Sequence, residues 1–303
     1  MTVTRTDPST GPTSPEVTGL HDAATGSIQY VVADPGTGKC ALIDPVLDFH
    51  PAEARTGTEN AEALLEIVAE KGLTVEWILD THPHADHVTA SHWLRGKTGA
   101  PGAIGARVPE IAEIWRELYN LPDAFDAARD YDRLFAEGEQ FRIGDLDVQV
   151  WLSAGHTLGS VTYLVGTDAA FVHDTFMQPD SGTARADFPG GSATTLYESL
   201  KRILSLPDQT RLYVGHDYGT ETRDEPAWMA TVAEQRRDNI HIGSARGKAQ
   251  SCEDYLKLRT ARDETLDLPD RMLFALQMNL RGGRLPPAEA DGHRYAKIPL
   301  NRF

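Results

Sequence analysis

The chain has 303 residues, 40% of them hydrophobic and 8% aromatic, enough for one large or two ordinary domains with a real core. Its formal net charge of −16 repels phosphate backbones and excludes nucleic acid as an expected partner. Two cysteines, Cys40 and Cys252, neither of them in a C-x-x-C pair, exclude a disulfide framework and a structural zinc ribbon and fit a reducing, cytoplasmic setting, and no apolar run approaches the roughly 20 residues that span a bilayer.

Residues 1 to 17 are rich in Thr, Ser, Pro and Gly and lack the apolar centre of a signal peptide, so a disordered lead-in is expected there. Ile28 to Ala33 and Cys40 to Ile43 read as two strands of a hairpin around Asp34-Pro35-Gly36-Thr37-Gly38. Asn60 to Lys71 carries Leu64, Leu65 and Val68 at helical spacing and stops at Gly72. The run Val75 to Leu79 reads as a buried strand, and Val88 to about Gly96 as a helix. Short strands are then expected at Gln140 to Ile143, Val148 to Leu152, Val161 to Val165, Ala170 to Val172 and Leu212 to Val214, with a helix over Leu196 to Leu206. From Pro226 the chain turns mainly helical, with candidates at Pro226 to His241, Cys252 to Arg259 and Asp270 to Leu280. Two β-rich halves with covering helices imply an α+β fold, a four-layer αββα sandwich. Residues 18–225 are expected to form its body, and residues 226–303 a helical segment and extended arm packed on the same core.

The segment Thr81-His82-Pro83-His84-Ala85-Asp86-His87 puts three histidines and one aspartate into six residues, directly after a buried strand. Neutral imidazole and carboxylate are donors for zinc and iron. Three further strand ends carry the same residue types. His156 follows Val148 to Leu152, His173-Asp174 follows Ala170 to Val172, and His216-Asp217 follows Leu212 to Val214. Buried strands are rigid, so their tips make precise donor positions.

The set THPHADH, AGHT, HD and GHD resembles the metallo-β-lactamase superfamily over about residues 25 to 220. The resemblance implies one metal facing His82, His84 and His156, a second facing Asp86, His87 and His216, and Asp174 between them. Arg185-Ala186-Asp187-Phe188 after Asp174 is similar to an Arg-x-Asp-Phe element of the persulfide dioxygenases, and the likeness extends to Leu206-Pro207-Asp208, Thr231-Val232-x-Glu234, Ser251 to Tyr255 and Asn279-Leu280-Arg281-Gly282-Gly283. That subfamily likeness implies one Fe(2+) per chain held by His82, His156 and Asp174. His84, Asp86, His87 and His216 would then surround it or hold a second metal. The implied reaction takes dioxygen and a low-molecular-weight persulfide, glutathione persulfide above all, to sulfite and thiol in sulfur metabolism. Tyr218, Asp86 and His87 are the candidate catalytic residues, Tyr218 as a hydrogen-bond donor beside the iron. Arg185 is a candidate for binding a carboxylate of the thiol carrier, or a structural arginine pairing Asp187 or Asp217. Asn239-Ile240-His241 stands where the subfamily has Asn-Pro-Arg, so His241 is the candidate there, a weaker base that titrates near neutrality.

The main rival is a hydrolase resembling glyoxalase II, with two Zn(2+) and a metal-lowered water attacking an acylglutathione carbonyl. A catalytically silent, metal-stabilised binding protein is a third reading. Structural zinc sites, however, close their coordination with four ligands, often Cys, and no Cys stands among these candidates. Small molecules are the expected partners, without nucleic acid or membrane, and a homodimer is a further possibility.

Overall fold

The computed structural model describes residues 3–249 and 251–303. In chain order it begins with strands β1 (Val3–Asp7), β2 (Glu16–His21), β3 (Ile28–Asp34) and β4 (Lys39–Ile43), and the short pieces β5 (Val46–Leu47), β6 (Phe49–His50) and β7 (Arg55–Thr56). Helix α1 (Glu59–Glu70), β8 (Thr74–Leu79), β9 (Val88–Thr89), α2 (Ser91–Thr98), β10 (Gly102–Gly105), α3 (Val108–Tyr119), α4 (Ala127–Asp130) and β11 (Arg133–Phe135) complete the first half. The second half runs β12 (Gln140–Ile143), β13 (Leu146–Leu152), β14 (Val161–Val165), β15 (Ala169–His173), α5 (Ala193–Ile203), β16 (Arg211–Val214), β17 (Met229–Thr231), α6 (Val232–Asp238), α7 (Cys252–Asp263) and α8 (Met272–Asn279).

One sheet has seven strands in the order β1-β2-β3-β4-β8-β10-β11, and the other six in the order β12 to β17. Side chains alternate across a strand, and here the alternation assigns each face to a layer. Tyr30, Val32, Ala41, Ile43 and Leu79 face the core shared with Val148, Val150, Tyr163 and Val165 of the other sheet. Val31, Ala33, Cys40, Leu42 and Ile78 face Ala61, Leu64 and Val68 of α1 and Leu94 of α2. Leu196, Leu200 and Ile203 bring α5 to the second sheet. The result is the expected α+β sandwich of two sheets between helical layers.

Three expectations are corrected. The lead-in is not disordered where it is described. Val3–Asp7 pairs antiparallel with Glu16–His21, Val3 opposite His21 and Asp7 opposite Val17. An edge strand needs only backbone pairing, so a Thr-rich and Pro-rich composition does not forbid it. The helix expected from Val88 begins only at Ser91, because the β-branched pair Val88-Thr89 first pairs with Val46-Leu47. The helix expected over Pro226 to His241 is shorter. Met229–Thr231 joins β16 as the last strand of the second sheet, and α6 starts at Val232. Thr231 is its N-cap in a capping box: Glu234 N donates to Thr231 Oγ1 at 3.2 Å and Thr231 N donates to Glu234 Oε2 at 2.7 Å. The expected elements also omit α3, whose Val108, Ile111, Ala112, Trp115 and Tyr119 form a buried stripe. No helix among the described residues is long and apolar enough to cross a membrane.

Candidate metal centre

Every histidine and aspartate singled out at a strand tip, except Asp217, arrives at one end of the sandwich. His82, His84, Asp86 and His87 follow β8 in a buried loop, His156 follows β13, and His173-Asp174 ends β15. The β15–β16 register shifts between Phe171 and His173, and His173 has φ of 42°. This bulge turns the chain so that Asp174 points into the cluster. Gly215 permits the close approach: a Cβ there would lie 2.4 Å from Asp174 Oδ1.

The donor atoms of His82, His156 and Asp174 lie within 4.8 Å of one another, as do those of Asp86, Asp174 and His216, and those of His84, Asp86 and His87. Asp174 Oδ2 is 3.6 Å from His82 Nε2 and 3.4 Å from His156 Nε2. Two donors each about 2.1 Å from a shared ion and in tetrahedral relation stand about 3.4 Å apart. The spacing is therefore that of donors facing one ion.

The hydrogen bonds select which ring nitrogen is left without a partner. Thr81 Oγ1 gives its proton to Asp44 Oδ2 at 2.8 Å, so it accepts from His82 Nδ1 at 3.0 Å and leaves Nε2 free. His84 donates from Nε2 to Asp44 Oδ1 at 3.0 Å and leaves Nδ1 free. His156 donates from Nδ1 to the Arg185 carbonyl at 2.9 Å, and His87 from Nδ1 to Asp86 Oδ2 at 2.7 Å. His216 donates from Nδ1 to Asp174 Oδ1 at 2.5 Å. His82 Nε2, His84 Nδ1, His87 Nε2 and His216 Nε2 are then buried without a hydrogen-bond partner. His216 Nε2 stands 2.6 Å from Asp86 Oδ2, but without hydrogen-bond alignment. Buried nitrogens without a partner are costly unless something binds them, and an acceptor behind each ring is the usual support of a metal-binding histidine. Burial holds His82, His87 and His156 below the ordinary imidazole range, so they are neutral. Asp174 is held at about 2: burial pushes it up, but the neighbouring His216 outweighs that. Burial opposes charge on His84 and His216, yet Asp44 lifts the first to about 9 and Asp174 and Asp86 raise the second, so a metal ion bound at either ring would displace a proton.

A family model described as the metallo-β-lactamase superfamily matches residues 25–216. The chain belongs to the metallo-β-lactamase superfamily. The buried His and Asp set fits a metal site of the metallo-β-lactamase type. Among relatives in this superfamily, a β-lactamase hydrolase-like protein of Xylella fastidiosa is 53% identical over 95% of this chain, which spans 65% of that relative's length. Glyoxylase B2 of Dictyostelium discoideum is 42% identical over 92% of this chain and 94% of its own. The mitochondrial persulfide dioxygenase ETHE1 of Homo sapiens is 28% identical over 88% and 89%. The crystal structure of ETHE1 from Myxococcus xanthus superposes with a TM-score of 0.68 at 30% identity, covering 88% of this chain and 98% of that one.

The remaining candidates fare differently. Tyr218 is 68% exposed and stacks on His216, ring centroids 5.6 Å apart, so it lies over the cluster rather than in the core. Arg185 is paired within the protein. Its Nε and Nη2 bind Asp187 at 2.6 and 2.7 Å, Nη1 donates to the Asp267 carbonyl at 2.7 Å, and it lies over the Phe188 ring. Asp217 pairs with Arg223 instead. His241 is packed against Thr183. It is buried, its Nδ1 accepts from Thr183 N at 3.0 Å, and burial lowers it to about 4. Sequence reasoning missed Asp44, which backs His84. Its signal was the same strand-tip placement, here at the end of β4. A cleft of about 970 Å³ between α2 and the Gly283 to Leu285 stretch is lined by none of the clustered donors.

Proposed function

We propose that the chain binds one ferrous iron at His82, His156 and Asp174 and dioxygenates a low-molecular-weight persulfide to sulfite and thiol. The observation that carries this reading is the division of Asp174. Its Oδ2 faces His82 and His156, while Oδ1 is held by His216 Nδ1. A carboxylate whose second oxygen is taken by an N–H donor offers one oxygen to one ion, and with two imidazoles it forms the facial set suited to non-haem iron(II). Iron bound there would supply adjoining positions for dioxygen and sulfur, removing the entropy of their encounter. The protein's part is orientation. The Arg185 carbonyl fixes the His156 ring, the Phe188 ring stands 5.4 Å from it as an apolar neighbour, and Tyr218 offers its hydroxyl at the mouth. In the net reaction both oxygen atoms go to the terminal sulfur, which is oxidised by four electrons. Water then cleaves the sulfur–sulfur bond, its oxygen going to sulfite and a proton to the thiol. Likeness to the persulfide dioxygenases favours glutathione as carrier, although Arg185 and His241 are both committed elsewhere.

A second reading is favoured by the ring nitrogens without a partner on His84, His87 and His216. Asp86 groups with His84 and His87 on one side and with Asp174 and His216 on the other, either of which could hold a second ion, and two zincs would support thioester hydrolysis. Oxygen uptake by ferrous-loaded protein given glutathione persulfide, with metal content measured on the same sample, separates the two. Uptake with sulfite at about one iron per chain is the expected result. Absence of uptake from iron-bearing protein, together with acylglutathione hydrolysis by the zinc form, would replace it with the hydrolase.

A further inference from the structure

The matched family region ends at residue 216, yet the loops that carry the metal donors are fastened from further along the chain. Asn279, the last residue of α8, is 1% exposed. Its Nδ2 donates to the carbonyls of His84 and His87, both at 2.8 Å, and its Oδ1 accepts from Thr89 N at 2.8 Å. One amide thus satisfies three backbone groups of the loop that delivers His82, His84, Asp86 and His87. Its own carbonyl is held by Tyr131 Oη at 2.5 Å.

A second fastening reaches His156. On α7, Arg259 donates from Nε to Asp263 Oδ1 at 2.9 Å and from Nη1 to the Thr183 carbonyl at 2.8 Å. Asp263 Oδ2 accepts from Ala186 N at 3.1 Å. The chain between these two points carries the Arg185 carbonyl, and that carbonyl fixes the His156 tautomer. Arg259 is 1% exposed and Asp263 7%. A buried ion pair is a poor source of net stability, but it defines position well, and donor atoms need placing to within about 0.5 Å.

We propose that Asn279 and the Arg259–Asp263 pair are positioning residues of the metal centre, one fastening the His82 to His87 loop and the other the carbonyl behind His156, so that α7 and α8 are parts of the site. The inference concerns metal binding and stands apart from the choice between dioxygenase and hydrolase.

The test uses the full chain and cobalt(II) as the probe, with affinity from chelator competition and geometry from the cobalt visible spectrum. Asn279→Asp keeps the acceptor for Thr89 but turns an oxygen toward two carbonyl oxygens. Asp263→Asn weakens the second fastening. Thr231→Ala removes a helix cap outside both fastenings and controls for general destabilisation. In folded apo-protein, judged by circular dichroism, the first two variants lose about 10- to 100-fold in affinity and change the spectrum, while Thr231→Ala does neither. Wild-type affinity and spectrum in both folded variants, or an equal loss in Thr231→Ala, overturns the proposal. Should neither variant fold, hydrogen exchange in the wild type decides. Metal should slow the Thr89 and Ala186 amides, which the two fastenings hold, more than the Thr231 amide. Equal slowing overturns the proposal.

Discussion

Asp174 is the residue on which the proposed iron site turns, because its Oδ2 faces both His82 and His156. Asp174→Ala is expected to retain no iron after dialysis, and full retention by elemental analysis would contradict the triad. His84 distinguishes one metal from two. With a single iron, His84→Ala keeps about one equivalent while turnover falls, and loss of a second equivalent would support the hydrolase. His241 gives a prediction independent of the metal. Its folded value of about 4 lies below the ordinary 6.5, so the unfolded chain takes up a proton first as pH falls. The stability this group contributes is present above about pH 6.5 and is lost between there and pH 4, amounting to about 3 kcal/mol. Urea unfolding at pH 7.5 and 4.5 should show a smaller acid loss in His241→Asn than in wild type. An unchanged difference would mean that other groups dominate the acid limb.

At the scale of elements, stability rests on helices that cover sheet faces. Leu64 of α1 is fully buried against the first sheet, and Leu64→Ala should cost about 2–5 kcal/mol in chemical unfolding. The exposed capping box of α6 is worth less, and Thr231→Ala should cost about 1 kcal/mol. The central strands and the donor cluster were legible because they combine local signals: an apolar run, then His or Asp at its end. The edge strand β1 was not legible, since its pairing with β2 uses backbone rather than a hydrophobic pattern. Asn279 was quoted only as part of a family likeness. Its partners His84 and His87 are 195 and 192 residues away, and a single sequence carries no sign of such pairing. Arg185 can be read either way in the sequence, and the structure adds its bidentate pairing with Asp187. Helix α3 shows that periodicity was present where no element was expected, with Pro109 near its start and Asn120 left-handed at its end.

For the whole molecule, the cluster means that metal and fold are linked. Buried ring nitrogens without a partner gather at one end of the sandwich, and whatever ion binds them in the native state stabilises it by mass action, about 2.7 kcal/mol at a hundredfold excess over Kd. The unfolding temperature of chelator-treated protein should therefore rise as zinc or ferrous iron is restored, and a temperature indifferent to metal would contradict a native-state site. The fastening of the donor loops by α7 and α8 also bears on the order in which a cell builds this protein. A ribosome releases His82 through His216 well before Asn279, so the donors leave the exit tunnel on loops whose final braces are still being synthesised. On the proposed role of α7 and α8, native metal affinity is expected only once the α8 segment has been synthesised and docked.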